Sequence, residues 1–329
     1  TDPLKIDLTD RKVLSIFNGI EALDIKDPDY KFTHGSYAIP EFGTSFTRQM
    51  LDDTKPDKFA DLVRISGFSH GTDVWLNNAQ DYIRSGTATM REVISTRDDI
   101  MNYLILKGVE NETAFKIMEI VRKGKKDLDD EQVAAMKEHD VPDWYIDSCN
   151  KIKYMFPRAH AVAYTMMSFR MAWYKVYYPQ EFYATYFTTK VANFDAETIL
   201  KGKDAILAKM EEIDAKGTNA APKEKDDYTI YEVAYEMYAR GYEFTPARLG
   251  KSLATKFSVD NGKVLLPFVA IEGVGENAAK AFQSEYEIKE FDTIEEAVKR
   301  AKLNRTAVEG LRNHGVFEGL PETDQLSMF

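Results

Sequence analysis

The sequence is poor in cysteine and has no long apolar run. Of its 329 residues only Cys149 is a cysteine, which excludes an internal disulfide and a zinc site built from cysteines. No stretch approaches the roughly 20 apolar residues that span a bilayer, so we expect a soluble protein with no membrane partner. The length allows two or three domains. Low cysteine use is typical of a reducing cytosol, where we expect this protein.

Acidic residues are missing from one window of an otherwise acidic chain. The net charge of −11 disfavours nucleic acid as a ligand of the surface as a whole, because basic side chains are needed to neutralise phosphates. Between Ser148 and Gln180, however, there is no Asp or Glu. The window carries the cations Lys151, Lys153, Arg158, Arg170 and Lys175. We therefore expect phosphate groups to bind there.

Hydrophobic periodicity predicts a mainly α fold with a small β element, which is an α+β class. Helical patterns cover Arg11–Leu23, continue over 58–190 as one compact helical domain, and extend over 191–240. From Phe244 to Phe268 the pattern alternates like strand. Within it, Asp260-Asn261-Gly262 predicts a hairpin, because Asn-Gly readily adopts the positive φ values of a type I′ turn.

The acid-free window contains the most informative motif. Pro157 indicates the start of a long aromatic-rich helix over 161–178, and Arg158 and His160 lie in its first turn, where free amides and the helix dipole favour an anion. Tyr164 follows one turn later, so that a base could stack on it while the arginines of the window hold phosphates. The pattern predicts a triphosphate cradle. The alternative is a core helix whose aromatic side chains pack inward and whose cations are merely solvated.

Two further segments place polar residues at the ends of helices. Ser69 and His70 lie at a glycine-punctuated junction that could form the edge of a site, although Thr72 or Asp73 has an N-cap as its ordinary role there. Arg97 opens a helix with an acidic first turn, which is common for dipole reasons alone and gives little support to Mg²⁺ binding. No histidine and carboxylate set has metal-ligand spacing, which disfavours a metal-dependent hydrolase.

Two C-terminal motifs indicate contacts with macromolecules. Ile271-Glu-Gly273-Val274-Gly275 has the pattern of a helix-hairpin-helix element, whose glycines let backbone amides meet a DNA phosphate without reading sequence. A plain glycine loop between helices is the alternative. The sequence ends Gln325-Leu-Ser-Met-Phe329, whose apolar anchors suit a hydrophobic groove on a partner, with a frayed terminus as the alternative.

Several longer segments occur in the order that they have in a known family. They are Pro40-Glu-Phe-Gly-Thr-Ser-Phe-Thr-Arg-Gln-Met-Leu51, Ser66-Gly-Phe-Ser-His-Gly-Thr-Asp-Val-Trp75, Arg97-Asp-Asp-Ile-Met101, Ala114-Phe-Lys-Ile-Met118, His139-Asp-Val-Pro142, Trp144-Tyr-Ile-Asp-Ser-Cys149, Lys151-Ile-Lys-Tyr-Met-Phe-Pro157 and Gln325-Leu-Ser-Met-Phe329. With these motifs the sequence resembles, essentially from end to end, the C-terminal part of the PolC-type DNA polymerase III α subunit. Motifs of this length and order are very specific.

The resemblance implies a helical polymerase fingers domain followed by a C-terminal helix-hairpin-helix domain. The implied segments are 1–57 (end of the palm and a connecting segment), 58–190 (fingers), 191–240 (helical continuation), 241–320 (duplex-binding region) and 321–329 (clamp-binding tail).

The resemblance also implies site residues and partners. The residues near the incoming deoxynucleoside triphosphate (dNTP) would be Arg97, Lys153, Arg158, His160, Ser69 and His70. Primer-template DNA would meet Gly273, Val274, Gly275 and Lys280, and the sliding clamp would meet Gln325, Leu326, Ser327, Met328 and Phe329. Other replisome subunits, at the nucleoid in the cytoplasm, are further expected partners.

Catalysis is implied to depend on residues outside this sequence. Family members place two Mg²⁺ ions on palm aspartates, which the resemblance puts upstream of Thr1, so neither Asp52-Asp53 nor Asp98-Asp99 is a catalytic pair and this chain binds no metal. Because the sequence begins Thr1-Asp2-Pro3 without Met, we interpret it as a fragment of a nucleotidyltransferase that is inactive by itself. The alternative is a non-catalytic DNA-binding module tethered to the clamp.

Overall fold

The computed structural model describes residues 2–323, which divide into two compact units. The first unit contains the residues up to Leu23 together with Phe32–Val176, and the second contains Asp24–Lys31 together with the residues from Tyr177 onward. In the second unit the amide of Lys26 donates to the carbonyl of Ala239, 2.7 Å away. The predicted functional boundaries at 57/58 and 190/191 do not coincide with these units and stay predictions.

Helices make up most of the described first unit. They are α1 (Arg11–Ser15), α2 (Ser45–Thr54), α3 (Phe59–His70), α4 (Gln80–Arg84), α5 (Arg97–Leu106), α6 (Asn111–Lys123), α7 (Asp130–Glu138), α8 (Asp143–Lys151) and α9 (Arg158–Tyr177). A π-helical turn covers Trp75–Ala79, and 3-10 turns cover Pro3–Lys5 and Glu21–Leu23.

The predicted helix over Arg11–Leu23 is wrong in its second half, because α1 ends at Ser15. The carbonyl of Ile16 accepts from the amide of Gly35, 2.8 Å away, and the side-chain amide of Asn18 donates to the carbonyl of Pro56. The first bond engages a backbone carbonyl that a continuing helix would use, and the second holds the side chain of Asn18 against a distant segment. Periodicity alone does not reveal such partners.

The long helix predicted after Pro157 is confirmed as α9. One face is buried through Ala161, Phe169 and Ala172, whereas Tyr164 and Met167 on another face are about 40% exposed. The helix is therefore neither wholly a core helix nor wholly a surface helix. Its aromatic side chains are divided between the interior and the solvent.

The second unit adds seven helices to the described chain, together with a small sheet. The helices are α10 (Pro179–Thr189), α11 (Ala196–Leu200), α12 (Lys203–Lys216), α13 (Pro222–Ala239), α14 (Glu276–Ile288), α15 (Ile294–Arg300) and α16 (Arg305–Asn313), with 3-10 turns at Val191–Asn193, Gly217–Asn219 and Phe268–Ala270. Its aromatic core includes Phe187, Phe194, Phe244 and Phe257, whose rings meet mostly edge to face.

Three short strands confirm the small β element. They are β1 (Phe244–Thr245), β2 (Ser258–Asp260) and β3 (Lys263–Leu265), in the order β1-β3-β2, with β3 parallel to β1 and antiparallel to β2. The predicted hairpin is confirmed, with Asn261 and Gly262 at φ values of 48° and 77°. The strand-like pattern between β1 and β2 does not form strand. The predicted α+β class, dominated by helices, is confirmed, and no described helix is long and apolar enough to cross a membrane.

Candidate nucleotide and DNA interfaces

The N-terminal turns of α5 and α9 are hydrogen-bonded to one another. The amide of Arg97, the first residue of α5, donates to the carbonyl of Phe156, 3.2 Å away. The amide of Arg158, the first residue of α9, donates to the Asp98 carboxylate at 2.7 Å. Two helix N-termini, which both favour negative charge, are thus fixed side by side. We call the predicted residues Arg97, Lys153, Arg158 and His160, together with Tyr164, the cradle.

Asp99 holds Arg158 of the cradle in place. It is only 8% exposed, and its carboxylate receives the guanidinium of Arg158 and lies 3.5 Å from that of Arg64. Burial raises the pKa of Asp99, but Arg64, the Ser95 hydroxyl, the Thr96 amide and Arg158 together hold that pKa below its ordinary value. Asp99 is therefore an anionic anchor shared by two arginines.

Lys153 is fixed through its backbone while its side chain stays exposed. Its amide donates to the carbonyl of Thr72 at 3.1 Å, and Thr72 and Tyr154 form an isolated antiparallel bridge. A side chain at position 124 would collide with the Lys153 backbone, so Gly124, at φ 55°, allows α6 to end there. The ordinary N-cap role for Thr72 or Asp73 is wrong, because Thr72 pairs with a strand-like segment and Asp73 has a φ of 56°.

A row of aromatic rings crosses the cradle. Ring centroids are 5.5 Å apart between His70 and Phe156, 4.8 Å between Phe156 and His160, and 4.4 Å between His160 and Tyr164. Tyr154 contacts Phe156 edge to face at 5.4 Å. The structure thus joins the predicted residues His70 and His160, which are far apart in the sequence, through one phenylalanine.

His70 and Ser69 lie in the last turn of α3 and have partners inside the protein. Nε2 of His70 is 2.5 Å from the Glu41 carboxylate, and Nδ1 is 2.7 Å from the carbonyl of Ser66. The hydroxyl of Ser69 donates to the same carbonyl at 3.0 Å. Because that hydroxyl also lies 2.9 Å from Nδ1 of His70, Ser69 supports the position of the His70 ring, and Glu41 is a partner that the sequence did not reveal.

The cations near the cradle and in the acid-free window are not equally available. Within the part of the chain that the structure describes, Lys153 of the window forms no ion pair, and neither does Arg97 outside it, whereas Lys151 lies 2.8 Å from Asp147. Lys175 is fully buried and donates to the carbonyls of Gly35 and Tyr37 at 2.7 and 2.6 Å. The expectation that the whole window binds phosphate is therefore wrong at Lys175.

In the second unit, Gly273 to Gly275 form a tight turn before α14. Gly273 has a φ of 85°, and a Cβ atom there would lie 2.8 Å from the carbonyl oxygen of Thr306, at the start of α16. Val274 is buried, which anchors the turn. Gly275 caps α14 with ordinary extended backbone, and a Cβ atom there would meet no other atom within 4 Å. The fold therefore requires glycine at 273 but not at 275, where the backbone is open to a ligand.

Lys280 lies one turn into α14 and forms an exposed ion pair with Glu276, 2.5 Å away. Exposed pairs of this kind contribute little stability, about 0–1 kcal/mol, and exchange readily for another anion. The predicted DNA-binding residues Gly273, Val274, Gly275 and Lys280 thus belong to one turn and the helix that follows it.

Two predictions concern other parts of the chain. The predicted clamp-binding residues Gln325 to Phe329 lie outside the described residues. Within residues 2–323, no group of three or more His, Cys, Asp or Glu side chains is placed to hold a metal ion.

Comparison with known proteins identifies both regions. Residues 1–141 match the family described as the bacterial DNA polymerase III alpha subunit finger domain, and residues 241–326 match the helix-hairpin-helix motif. Proteins named DNA polymerase III PolC-type are 53% identical to the chain in Caldanaerobacter subterraneus, 53% identical in Clostridium perfringens and 50% identical in Bacillus subtilis. The chain belongs to the PolC-type DNA polymerase III family. The predicted resemblance is confirmed.

The similarity covers nearly all of this chain but a minor part of its relatives. It extends over 99–100% of the chain and 23% of the length of each of the three relatives. The chain therefore corresponds to a portion of a PolC-type polymerase. The cradle extends beyond the region that matches the finger domain, since Arg97 lies inside residues 1–141 and Arg158 lies outside them.

Proposed function

We propose that this chain is the part of a replicative DNA-directed DNA polymerase, a nucleotidyltransferase, that binds the incoming dNTP and primer-template DNA. The observation that carries the proposal is the pairing of the N-terminal turns of α5 and α9, with Arg97, Lys153 and Arg158 on the segments that meet there. Helix N-termini and unpaired cations together favour the phosphates of a nucleotide. The name of the relatives supports the polymerase class.

A triphosphate would enter the cradle by exchange with carboxylates. Arg97 and Lys153 would attract the triphosphate first, because neither forms an ion pair with an acidic residue in residues 2–323. Arg158 then leaves Asp99 for the phosphate, while Asp99 keeps Arg64 and its bonds from Ser95 and Thr96. The exchange costs little because no buried carboxylate is left without a partner.

The aromatic row would receive the base or sugar. The rings of His160 and Tyr164 lie 4.4 Å apart and are tilted by 40°, and Tyr164 is 40% exposed, so a flat ligand has one aromatic face to lie on. Stacking of a base on an aromatic side chain contributes about 1–3 kcal/mol and depends little on the identity of the base. This suits a polymerase, which must accept four nucleotides in one site.

Phosphoryl transfer itself is assigned to carboxylates that precede Thr1. Mg²⁺ ions on such carboxylates would activate the primer 3′-hydroxyl and stabilise the charge of the leaving pyrophosphate. The residues of this chain would bind and orient the triphosphate. We accordingly expect the chain alone to be inactive as a polymerase.

The turn Gly273–Gly275 would bind a phosphate of the primer-template duplex through the first amides of α14. Those amides have no acceptor within the helix, and the open space at Gly275 lets a phosphate approach closely. Lys280 would exchange Glu276 for a second phosphate. Such contacts position DNA without reading its sequence, as replication requires.

The tail Gln325–Phe329 would bind the sliding clamp, with other replisome subunits as further partners at the nucleoid in the cytoplasm. A tethered clamp raises the effective concentration of the polymerase at the primer end. Clamp binding by the chain with and without these five residues tests the assignment independently of catalysis. Equal binding by both forms would contradict it.

Steady-state nucleotide incorporation tests the cradle. In a complete PolC-type chain carrying this region, Arg158→Gln should lower kcat/KM for dNTP roughly thirtyfold, equivalent to about 2 kcal/mol for a lost charge-assisted contact. Lys151→Gln is the matched control, because Lys151 lies outside the cradle, at the end of α8, and it should change kcat/KM less than twofold. Equal losses in the two variants would contradict the assignment.

The turn before α14 favours a second candidate, a non-catalytic DNA-binding module held on the clamp. That module would bind duplex DNA with no affinity for nucleotides. Equilibrium dialysis of dNTP against the 329-residue chain separates the two, since only the polymerase assignment predicts binding that weakens in Arg158→Gln.

A further inference from the structure

A pocket of about 560 Å³ opens in the first unit between α1 and the turn that precedes α3. Its volume falls in the range of roughly 300–1,000 Å³ that is typical of small-molecule sites. None of its lining residues belongs to the cradle. The pocket is therefore a separate feature that the proposed polymerase role does not use.

The charges around the pocket favour an anion. Arg11 and Lys58 line it, are exposed, and form no ion pair with any residue from 2 to 323. The acid in its lining, Asp57, is neutralised by Arg91, whose guanidinium nitrogen lies 2.7 Å from the carboxylate. Two cations that form no ion pair thus line the pocket, in a chain whose net charge is −11.

An unsatisfied acceptor in the same lining points to more than a bare phosphate. The side-chain nitrogen of Asn18 donates to the carbonyl of Pro56, but its Oδ1 is buried and has no donor among the described residues. A buried acceptor without a donor is costly, so a ligand that supplies an N–H or O–H gains there. Leu14 and Phe59 add apolar surface against which a ring could pack.

We propose that this pocket binds a nucleotide, with its phosphate on Arg11 and Lys58 and an N–H or O–H group of its base or sugar on Asn18 Oδ1. A base packed against Leu14 and Phe59 would complete the site. The nucleotide is either free or one unit of a single DNA strand, since both present the same chemistry.

Fluorescence anisotropy of the 329-residue chain with 5′-fluorescein-labelled hexathymidylate tests the proposal. The double variant Arg11→Ala/Lys58→Ala should weaken binding at least tenfold. It should also reduce the slope of log K against log salt by about 0.7, because Arg11 and Lys58 hold one phosphate and each neutralised phosphate of a single strand contributes roughly 0.7. The control Lys5→Ala/Lys225→Ala removes the same charge from exposed positions outside the pocket and should change affinity less than twofold.

Displacement by deoxyadenosine monophosphate and by inorganic phosphate identifies the ligand. Displacement by the monophosphate at concentrations near the Kd of the hexamer supports a free nucleotide, and at least tenfold weaker displacement supports a strand. If inorganic phosphate displaces the hexamer as well as the monophosphate does, the nucleotide assignment is overturned. Equal affinity of the Arg11/Lys58 variant and its control overturns the site itself.

Discussion

The cradle of the first unit and the glycine turn of the second are both suited to phosphate, but the first offers cationic side chains and the second offers backbone amides. In the cradle, the side chain of Arg158 is positioned by a buried carboxylate, Asp99, which also pairs with Arg64. In the turn, backbone amides are positioned by a glycine, Gly273, whose φ and close approach to Thr306 exclude a side chain. The cradle should therefore respond to changes of charge and pH, and the turn to changes of backbone shape.

The largest effect is expected from Asp99→Asn in the cradle. The change leaves Arg64 and Arg158 without their shared anion, and removing one partner of a buried ion pair costs about 3 kcal/mol. Urea unfolding of the chain measures it. Asp98→Asn, next to it but more exposed, is the control and should cost less than about 1 kcal/mol. An equal loss of unfolding free energy in the two variants would show that the burial of Asp99 does not contribute to stability.

The effect of Asp99→Asn should depend on pH in a defined direction. Because the pKa of Asp99 is lowered in the folded chain, its contribution is fully present above the unfolded value of roughly 3.9 and is lost as pH falls through the folded pKa. The difference in unfolding free energy between wild type and Asp99→Asn should stay constant from pH 7 to pH 5 and shrink below pH 4. A difference that already shrinks at pH 6 would contradict this.

The next largest effect is expected from Gly273→Ala in the turn. A left-handed φ costs a residue other than glycine about 1–2 kcal/mol, and the contact of its Cβ with Thr306 adds strain, so we expect about 2–3 kcal/mol in thermal or urea unfolding. Gly275→Ala is the matched control. Alanine is a poorer N-cap than glycine, but it also lowers the conformational entropy of the unfolded chain. The two effects should cancel, so that the free energy of unfolding changes by less than about 0.5 kcal/mol.

Gly275→Ala should instead weaken binding of duplex DNA. Its methyl group would stand in the open space through which a phosphate approaches α14, so we expect roughly tenfold weaker binding, or about 1.4 kcal/mol. Anisotropy of a labelled primer-template measures it. Unchanged affinity would assign DNA binding to another surface.

The smallest effect is expected from Lys280→Gln. The exposed pair with Glu276 contributes little to folding, so unfolding should change by less than about 0.5 kcal/mol. If Lys280 meets a phosphate, the slope of log K against log salt for duplex binding should fall by about 0.9. An unchanged slope would show that Lys280 stays paired with Glu276 on DNA.

Local signals in the sequence were sufficient for some elements and not for others. Pro157 and the Asn261-Gly262 pair predicted α9 and the β2-β3 hairpin, because proline and Asn-Gly act through their own backbone preferences. The helix from Arg11 was predicted too long, because Ile16 and Asn18 bond to residues far along the chain.

The candidate site shows the same limit. The residues that offer cations and rings were recognisable by type, but their partners were not. Glu41 and Asp99 lie about 30 and 60 positions from His70 and Arg158, and nothing in their local sequence marks them as partners. Lys175 is of a residue type that often binds phosphate, but its ammonium group instead donates to two buried carbonyls.

The most direct test of two differently built interfaces is primer extension by a complete PolC-type chain, measured as a joint titration of dNTP and primer-template. Arg158→Gln should lower kcat/KM for dNTP and leave the Kd for DNA unchanged. Gly275→Ala should raise the Kd for DNA and leave the KM for dNTP unchanged. If both variants alter the same constant, or if neither alters its own, the assignment of nucleotide to the first unit and duplex to the second is contradicted.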